Sequence, residues 1–150
     1  MVDKRGAGYL FLTKDKKVLV LKRSEICSHP HTWCLPGGKV DREDYCLNGT
    51  FDEGMLHGAR RELWEETKIK SSYLIGSIRK DFIDTKNDNF RFRTFIFDLG
   101  NEDIDTIENI ITLDKEHDEW KWESISNLLS SDETHHGLKN TLNILKLYGV

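Results

Sequence analysis

Short apolar runs separated by polar turns predict several strands in this chain. Residues 9–12 and 18–21 are apolar and flank the polar residues 14–17, which predicts a β-hairpin. Residues 73–84 and 90–99 also have the composition of strands. The second of these alternates Phe and Arg before it becomes apolar, as a half-buried strand does. Residues 119–125 predict a short strand that leads into a helix near residues 124–129.

A different periodicity predicts a long helix in the middle of the chain. Thr50 is followed three residues later by Glu53, the spacing of a capping box at a helix start. Leu56, Ala59 and Leu63 then form an apolar stripe at helical spacing, so we expect a helix over residues 51–67. Residues 133–150 predict a final helix that packs on the body. Residues 39–48 are polar and show no periodicity, so they read as a loop.

These elements predict an α+β fold, an α/β/α sandwich in which a mixed β-sheet is flanked by helices. The length of 150 residues suits one domain over residues 1–150. No apolar run reaches the roughly 18 residues that a membrane span needs, and the first residues do not resemble a secretion signal. The cysteines Cys27, Cys34 and Cys46 lack metal-site spacing. We therefore expect a cytoplasmic protein with no membrane partner.

Three glutamates, Glu62, Glu65 and Glu66, lie within little more than one turn of the predicted long helix, just after Arg61. A solvated helix face is one explanation, because like charges at this spacing cost only a few tenths of a kcal/mol and Arg61 pairs with Glu65. A divalent metal site is the other, because Mg²⁺ prefers oxygen ligands and keeps positions open for phosphate oxygens. The twelve residues around the cluster do not decide between these explanations.

The wider sequence resembles the Nudix family. The family motif has a glutamate, seven intervening residues and then Arg-Glu-apolar-x-Glu-Glu, and here Glu53 and residues 61–66 match in register after a Pro-Gly-Gly turn at residues 36–38. Two departures stand out. Lys68 replaces the motif glycine at the helix exit. The spacing from Gly38 places Asp44 where the family has its first glutamate, so residues 41–49 look like an inserted loop, which we expect to be dispensable for folding.

The resemblance implies an enzyme that hydrolyses the P–O–P bond of a nucleoside diphosphate linked to a further group, using Mg²⁺ or Mn²⁺. The substrates it implies are nucleotide sugars, ADP-ribose, dinucleoside polyphosphates and nucleoside triphosphates. A homodimer is a common assembly in the family. The metal ligands it implies are Glu62, Glu65, Glu66 and the backbone carbonyl of Gly38 or Gly37. Arg61 is expected to orient a carboxylate such as Glu53.

A further carboxylate from a late loop serves the family as metal ligand or base. Glu116 is the first choice for both roles and Glu119 the second, whereas Glu62 is an alternative catalytic group and His117 reads as a surface histidine. Candidates for contact with substrate phosphates are basic side chains on predicted strands and turns: Arg23, Lys39, Arg91 and Arg93. Each of these is equally well explained as a solvated residue.

Two other functions stay open. One is removal of the 5′ pyrophosphate from RNA, against which the net charge of −4 counts mildly, because nucleic-acid binders usually carry positive charge. The other is a Nudix-fold nucleotide sensor without activity. A sensor of that kind is expected to lack motif glutamates, and this chain has all of them.

Overall fold

The computed structural model describes residues 4–149, without the side chains of residues 46–48. The strands in this part of the chain are β1 (Lys4–Leu12), β2 (Lys17–Arg23), β3 (Trp33–Cys34), β4 (Gly37–Lys39), β5 (Ile78–Asn87), β6 (Phe90–Asp98) and β7 (His117–Ser124). The helices are α1 (Arg42–Asn48), α2 (Phe51–Thr67), α3 (Asn101–Ile110), α4 (Ile125–Ser130) and α5 (His136–Leu147).

The strands form one mixed sheet in the order β3-β2-β1-β6-β5, with β4 paired to β1 and β7 paired to β2. The pairing of β1 with β6 is parallel, and the other pairings are antiparallel. One face of the sheet packs on α2 and α3 through Ala59, Leu63 and Ile107. The other face packs on α4 and α5 through Leu128 and Leu142. The predicted fold class, a mixed sheet flanked by helices, is confirmed.

The central helix α2 has the bounds that the sequence predicts. Its first turn is capped by Thr50, whose hydroxyl accepts a hydrogen bond from the Glu53 backbone N–H at 3.1 Å. The helix ends where Lys68 adopts the left-handed conformation, with φ of 63°, and its N–H donates to the Trp64 carbonyl. Lys68 thus takes the helix-ending conformation that favours glycine, and its ammonium group lies 4.0 Å from the centre of the Trp64 ring.

The prediction that residues 39–48 form a loop is wrong, because residues 42–48 form the helix α1. The Asp44 carboxylate accepts the Asp41 backbone N–H at 2.7 Å, which closes the first turn. Tyr45 stacks on Phe51, and its hydroxyl donates to the Met55 sulfur at 3.1 Å. Residues 41–49 are therefore packed structure, and a flexible linker in their place is expected to destabilise the fold.

Among the described residues, no helix is long and apolar enough to pass through a membrane.

The start of α5 supplies a pH-dependent contribution to stability. The Nδ1 atom of His135 accepts the Gly137 backbone N–H at 3.0 Å. Burial, together with the nearby charges of His136, Arg23 and His29, lowers the pKa of His135 from 6.5 to about 4. Between these two values the unfolded chain binds the proton and the folded chain does not, so this contribution falls as the pH drops from 6.5 to 4.

We expect His135→Asn to remove this contribution, because asparagine caps a helix without titrating. The measurement is the free energy of urea-induced unfolding at pH 7 and pH 4.5 for both proteins. The wild type should lose more stability between the two pH values than the variant does. Equal losses in the two proteins would show that His135 does not protonate on unfolding in this range.

Candidate active site

The three glutamates of α2 project from the side of the helix that faces β4 and the loop before β7, and they differ in burial. Glu66 is buried, Glu62 is mostly buried, and the Glu65 side chain is 51% exposed. The orientation follows from Ala59 and Leu63, which are fully buried against the sheet and fix the rotation of the helix. The acidic cluster is therefore built into the protein rather than spread over a solvated face.

The Pro-Gly-Gly turn approaches these carboxylates closely. The Gly37 backbone N–H donates to Glu66 Oε1 at 2.8 Å. A Cβ atom added to Gly38 would lie only 2.6 Å from the carboxyl carbon of Glu62. The backbone of Gly38 therefore lies directly against the carboxylate of Glu62, which would have to move if residue 38 carried a side chain.

The electrostatics of the cluster favour a bound cation. Burial raises the pKa of Glu66 well above its usual value, and the charges of Glu62, Asp114 and Glu116 raise it further, against the Gly37 hydrogen bond. Burial likewise raises the pKa of Glu62, with contributions from Glu65 and Glu116, although Arg61 opposes them. A divalent cation offsets this repulsion and desolvation better than protons do.

Arg61 holds the cluster together from the side. Its Nη1 atom donates to Glu62 at 3.1 Å and to Glu65 at 3.3 Å. Its Nη2 atom donates to the Lys39 carbonyl at 2.9 Å and lies 3.5 Å from Asp44. The guanidinium thus contacts carboxylates on α1 and α2 at the same time. It is placed to orient Glu62 and Glu65.

Glu53 was one example of a carboxylate that Arg61 could orient, and the carboxylates that the structure places at Arg61 are instead Asp41, Asp44, Glu62 and Glu65. Glu53 precedes Arg61 by eight helical residues, about 12 Å along the axis, and is exposed. Asp44 replaces it as the partner, because the insertion folds back as α1. Asp44 is buried, and although burial opposes this, hydrogen bonds from His57, Asp41 and Arg61 lower the pKa of its carboxyl. The His57 Nδ1–H donates to it at 2.6 Å.

We expect Asp44→Ala to lower the free energy of unfolding by about 2–3 kcal/mol, because it removes a buried carboxylate that pairs with two cationic or polar side chains. His57 and Arg61 retain partial contact with water, which limits the loss. The measurement is chemical denaturation, with Glu43→Ala as the control on the exposed side of the same helix. An equal effect of the two substitutions would contradict the role assigned to Asp44.

The loop before β7 brings Glu116 to the same region. Its backbone carbonyl accepts the Ser24 N–H at 2.9 Å, which ties the loop to the end of β2. The charge of Glu116 contributes to the raised pKa values of both Glu62 and Glu66. Glu119, in contrast, lies on β7 and pairs with Lys22 at 3.3 Å. The structure therefore places the first candidate near the cluster and the second in a strand-to-strand ion pair.

A histidine and an aspartate that sequence reasoning missed lie behind Glu66. His117 is buried, so its interpretation as a surface histidine is wrong. Its Nδ1 atom lies 2.8 Å from Asp114, and its Nε2 atom lies 4.0 Å from Glu66 and 3.9 Å from the Cys34 sulfur. The backbone N–H of Asp114 donates to the Glu66 carbonyl. Only the tertiary fold brings His117 to Glu66 and Cys34, whereas Asp114 is its neighbour in sequence.

The four basic candidates for phosphate contact are dispersed. Arg23 is hydrogen-bonded to Ser28, through its carbonyl at 2.7 Å and its hydroxyl at 3.1 Å. Lys39 is exposed beside the cluster. Arg93 is bound to Asp84 and Asp52. Arg91 lines a groove at the other end of α2. Their roles toward substrate stay predictions. In the structure, Arg93 connects Asp84 of β5 to Asp52 of α2.

The residues present fit a divalent metal by their chemistry. The candidate ligands are all oxygen donors: the carbonyl of Gly38 and the carboxylates of Glu62, Glu65, Glu66 and Glu116. As they stand, no three His, Cys, Asp or Glu side chains within the described residues are arranged to hold an ion. Arg61 bonds to the Oε1 atom of Glu62 and of Glu65, so an ion is expected to bind through the other oxygen of each carboxylate.

A family model described as the NUDIX domain matches residues 3–143 of the chain. The chain belongs to the Nudix family. The predicted family is thereby confirmed.

Known Nudix relatives extend this result. An RNA pyrophosphohydrolase of Bartonella henselae is 38% identical over 77 residues, which cover 48% of this chain and 39% of that protein. One of Rickettsia bellii is 34% identical over 140 residues, covering 83% of this chain and 77% of that protein. The chain therefore spans well under half the length of the Bartonella protein. A structure described as a C. elegans Ap4A hydrolase binary complex is 20% identical, covers 97% of this chain and 96% of that chain, and has a TM-score of 0.65. This last likeness shows the fold alone.

Proposed function

We propose that this Nudix protein hydrolyses the P–O–P bond of a nucleoside diphosphate linked to a further group, with Mg²⁺ or Mn²⁺ at the glutamates of α2. The observation that carries the proposal is the burial of Glu66 among three other acidic groups, Glu62, Asp114 and Glu116. Such a cluster is costly unless a cation neutralises it. The complete set of motif glutamates argues against a sensor that has lost activity.

The residues of the chain divide the work. A bound Mg²⁺ ion would supply positive charge that neutralises the diphosphate oxygens. Gly37 holds Glu66 through its backbone N–H, and Arg61 holds Glu62 and Glu65, so the ligand set is pre-arranged. Glu116, on a loop outside the helix, accepts the proton of the attacking water. A position outside the helix suits this role, because its carboxylate is separate from the glutamates that hold the cation.

A 5′-triphosphorylated RNA end is the substrate that a specific observation favours. The relatives from Bartonella henselae and Rickettsia bellii are both RNA pyrophosphohydrolases. The reaction is the same P–O–P hydrolysis, with an RNA chain as the group beyond the diphosphate. Cytoplasmic location, a single domain and homodimer assembly stay predictions from the sequence.

The test is hydrolysis of a substrate panel with and without Mg²⁺, with products separated by chromatography. The panel contains ADP-ribose, a nucleotide sugar, a dinucleoside polyphosphate, a nucleoside triphosphate and 5′-triphosphorylated RNA. We expect Mg²⁺-dependent release of a phosphorylated product from at least one of them, and the RNA to rank first. Absence of turnover on every member would contradict the proposal.

A further inference from the structure

One side of α2 is open to solvent and belongs neither to the acidic cluster nor to the core. Arg60 and Trp64 lie on this side four residues apart, and Lys68 ends the helix four residues further on, so the three follow one another along the helix. All three are exposed, including Trp64 with 43% of its surface in contact with solvent. We call these three residues the outer stripe of α2.

The outer stripe is cationic in a protein whose net charge is −4. Within the described part of the chain, no acidic side chain forms an ion pair with Arg60 or Lys68. The carboxylate of Glu65, which borders the stripe, pairs with Arg61 instead, at 3.3 Å. Glu53 precedes Arg60 by seven helical residues, about 10 Å along the axis. The stripe therefore presents positive charge to solvent, which favours an anionic partner.

Trp64 adds an aromatic surface between the two cations. The ammonium group of Lys68 lies 4.0 Å from the centre of its ring. No other ring or cation among the described residues lies against the indole, and much of it remains exposed. Lys70, which is also exposed, extends the positive charge beyond the end of α2. Single-stranded nucleic acids bind to surfaces of this composition, because cations contact the phosphates and an exposed ring stacks on a base.

Exposed side chains join the outer stripe to the acidic cluster. Glu65 belongs to the cluster, yet its side chain is 51% exposed. It is adjacent to Trp64 in sequence and precedes Lys68 by three residues, the spacing of neighbours on a helix surface. A substrate whose diphosphate lies at a cation held by Glu65 and Glu66 therefore reaches Lys68 and Trp64 over a part of α2 that is open to solvent.

We propose that the outer stripe of α2 binds the nucleotides that follow the 5′ end of a single-stranded RNA substrate. Lys68 and Arg60 contact its phosphates, and Trp64 stacks on a base. This inference rests on the proposed function for the identity of the reacting end. It gives α2 two roles, one on each side of the helix, and explains how a negatively charged protein accommodates RNA.

Binding without hydrolysis tests the outer stripe directly. The probe is a fluorescent single-stranded RNA with a 5′-hydroxyl, which offers no P–O–P bond, and the readout is anisotropy in the presence of Mg²⁺. We expect Arg60→Gln and Lys68→Asn each to weaken binding about fivefold and to make the slope of log affinity against log salt shallower by about 0.7. Asparagine accepts the left-handed conformation of residue 68, so the helix end is kept. Trp64→Leu should weaken binding about tenfold with an unchanged salt dependence.

Each type of substitution has a matched control elsewhere on the surface. Lys14→Gln removes a positive charge at an exposed turn, and Tyr148→Leu removes an aromatic ring that is 72% exposed at the end of α5. Both should alter RNA affinity less than twofold. Unchanged binding in Trp64→Leu, or equal losses in Arg60→Gln and Lys14→Gln, would overturn the proposal. Competition by poly-glutamate as effective as that by unlabelled RNA would overturn RNA as the partner.

A turnover measurement separates the outer stripe from the proposed chemistry. The ratio of kcat/KM for 5′-triphosphorylated RNA to that for a nucleoside triphosphate should fall about tenfold in Trp64→Leu and stay unchanged in Tyr148→Leu. An unchanged ratio in Trp64→Leu would contradict the role of the stripe while leaving hydrolysis intact. A wild-type protein that binds the 5′-hydroxyl RNA through Trp64 and Arg60 but hydrolyses nothing would contradict the proposed function and support the stripe as an RNA-binding surface.

Discussion

Replacing Glu66 by glutamine is expected to lower turnover by about 10²–10⁴-fold while the protein stays folded. Glutamine keeps the shape of the side chain, and its carbonyl oxygen can still accept the Gly37 N–H. It removes a charge whose burial is unfavourable, so the thermal stability should be retained or increased. Metal affinity should fall, because an amide is a weaker ligand for Mg²⁺ than a carboxylate.

The matched control for this substitution is Glu53→Gln, on the same helix but exposed and away from Arg61. Its turnover should stay within about twofold of the wild type. The loss of a metal ligand lowers turnover by more than this. Glu65→Gln should resemble Glu66→Gln in its loss of activity. The measurements are steady-state kinetics across Mg²⁺ concentrations and thermal denaturation of each protein. Near-normal Mg²⁺-dependent activity in both Glu65→Gln and Glu66→Gln would remove the metal-site assignment.

The second large effect is expected at Glu116. A water that attacks phosphorus needs a proton acceptor within about 2.6–3.2 Å or through one further water. The glutamates of α2 are committed to the cation, and a carboxylate that binds Mg²⁺ is a poor base. Glu116 comes from a separate loop and acts electrostatically on both Glu62 and Glu66. We therefore expect Glu116→Gln to lower kcat by about 10²–10⁴-fold with little change in KM.

Glu119→Gln provides the comparison three residues away. Its carboxylate pairs with Lys22 across β2 and β7, so its removal should affect an exposed ion pair of small energetic value and leave kcat nearly unchanged. Both variants are measured at saturating Mg²⁺. A large loss in Glu119→Gln with normal kcat in Glu116→Gln would show that the choice between them is wrong. A normal kcat in both variants would indicate that the general base is Glu62 or another glutamate of α2.

Local signals in the sequence predicted the elements that present the site. The Thr50 cap and the apolar stripe of α2 gave its bounds, because both depend on residues within a few positions of each other. The Pro-Gly-Gly turn was placed next to the glutamates by the family motif, and the backbone of Gly37 and Gly38 does lie against them.

The missed features depend on contacts between distant parts of the chain. Residues 42–48 show no hydrophobic periodicity, and the residue that anchors them, Asp44, is a buried acid whose partners His57 and Arg61 lie on another helix. A hydrophobic pattern cannot reveal such an anchor, although the six-residue spacing from Gly38 did mark Asp44. His117 likewise reads as polar surface until β7 pairs with β2 and His117 lies beside Glu66 and Cys34.

The central claim is that hydrolysis of a P–O–P bond depends on a divalent cation held by the glutamates of α2. It is tested most directly by the rate of hydrolysis of 5′-triphosphorylated RNA across a Mg²⁺ titration, in the wild type and in the Glu65→Gln/Glu66→Gln double variant, with Glu53→Gln alongside. We predict a saturable dependence on Mg²⁺ in the wild type and in Glu53→Gln, and loss of turnover in the double variant that more Mg²⁺ does not restore. Hydrolysis that is independent of Mg²⁺, or that proceeds equally in the double variant, would contradict the claim.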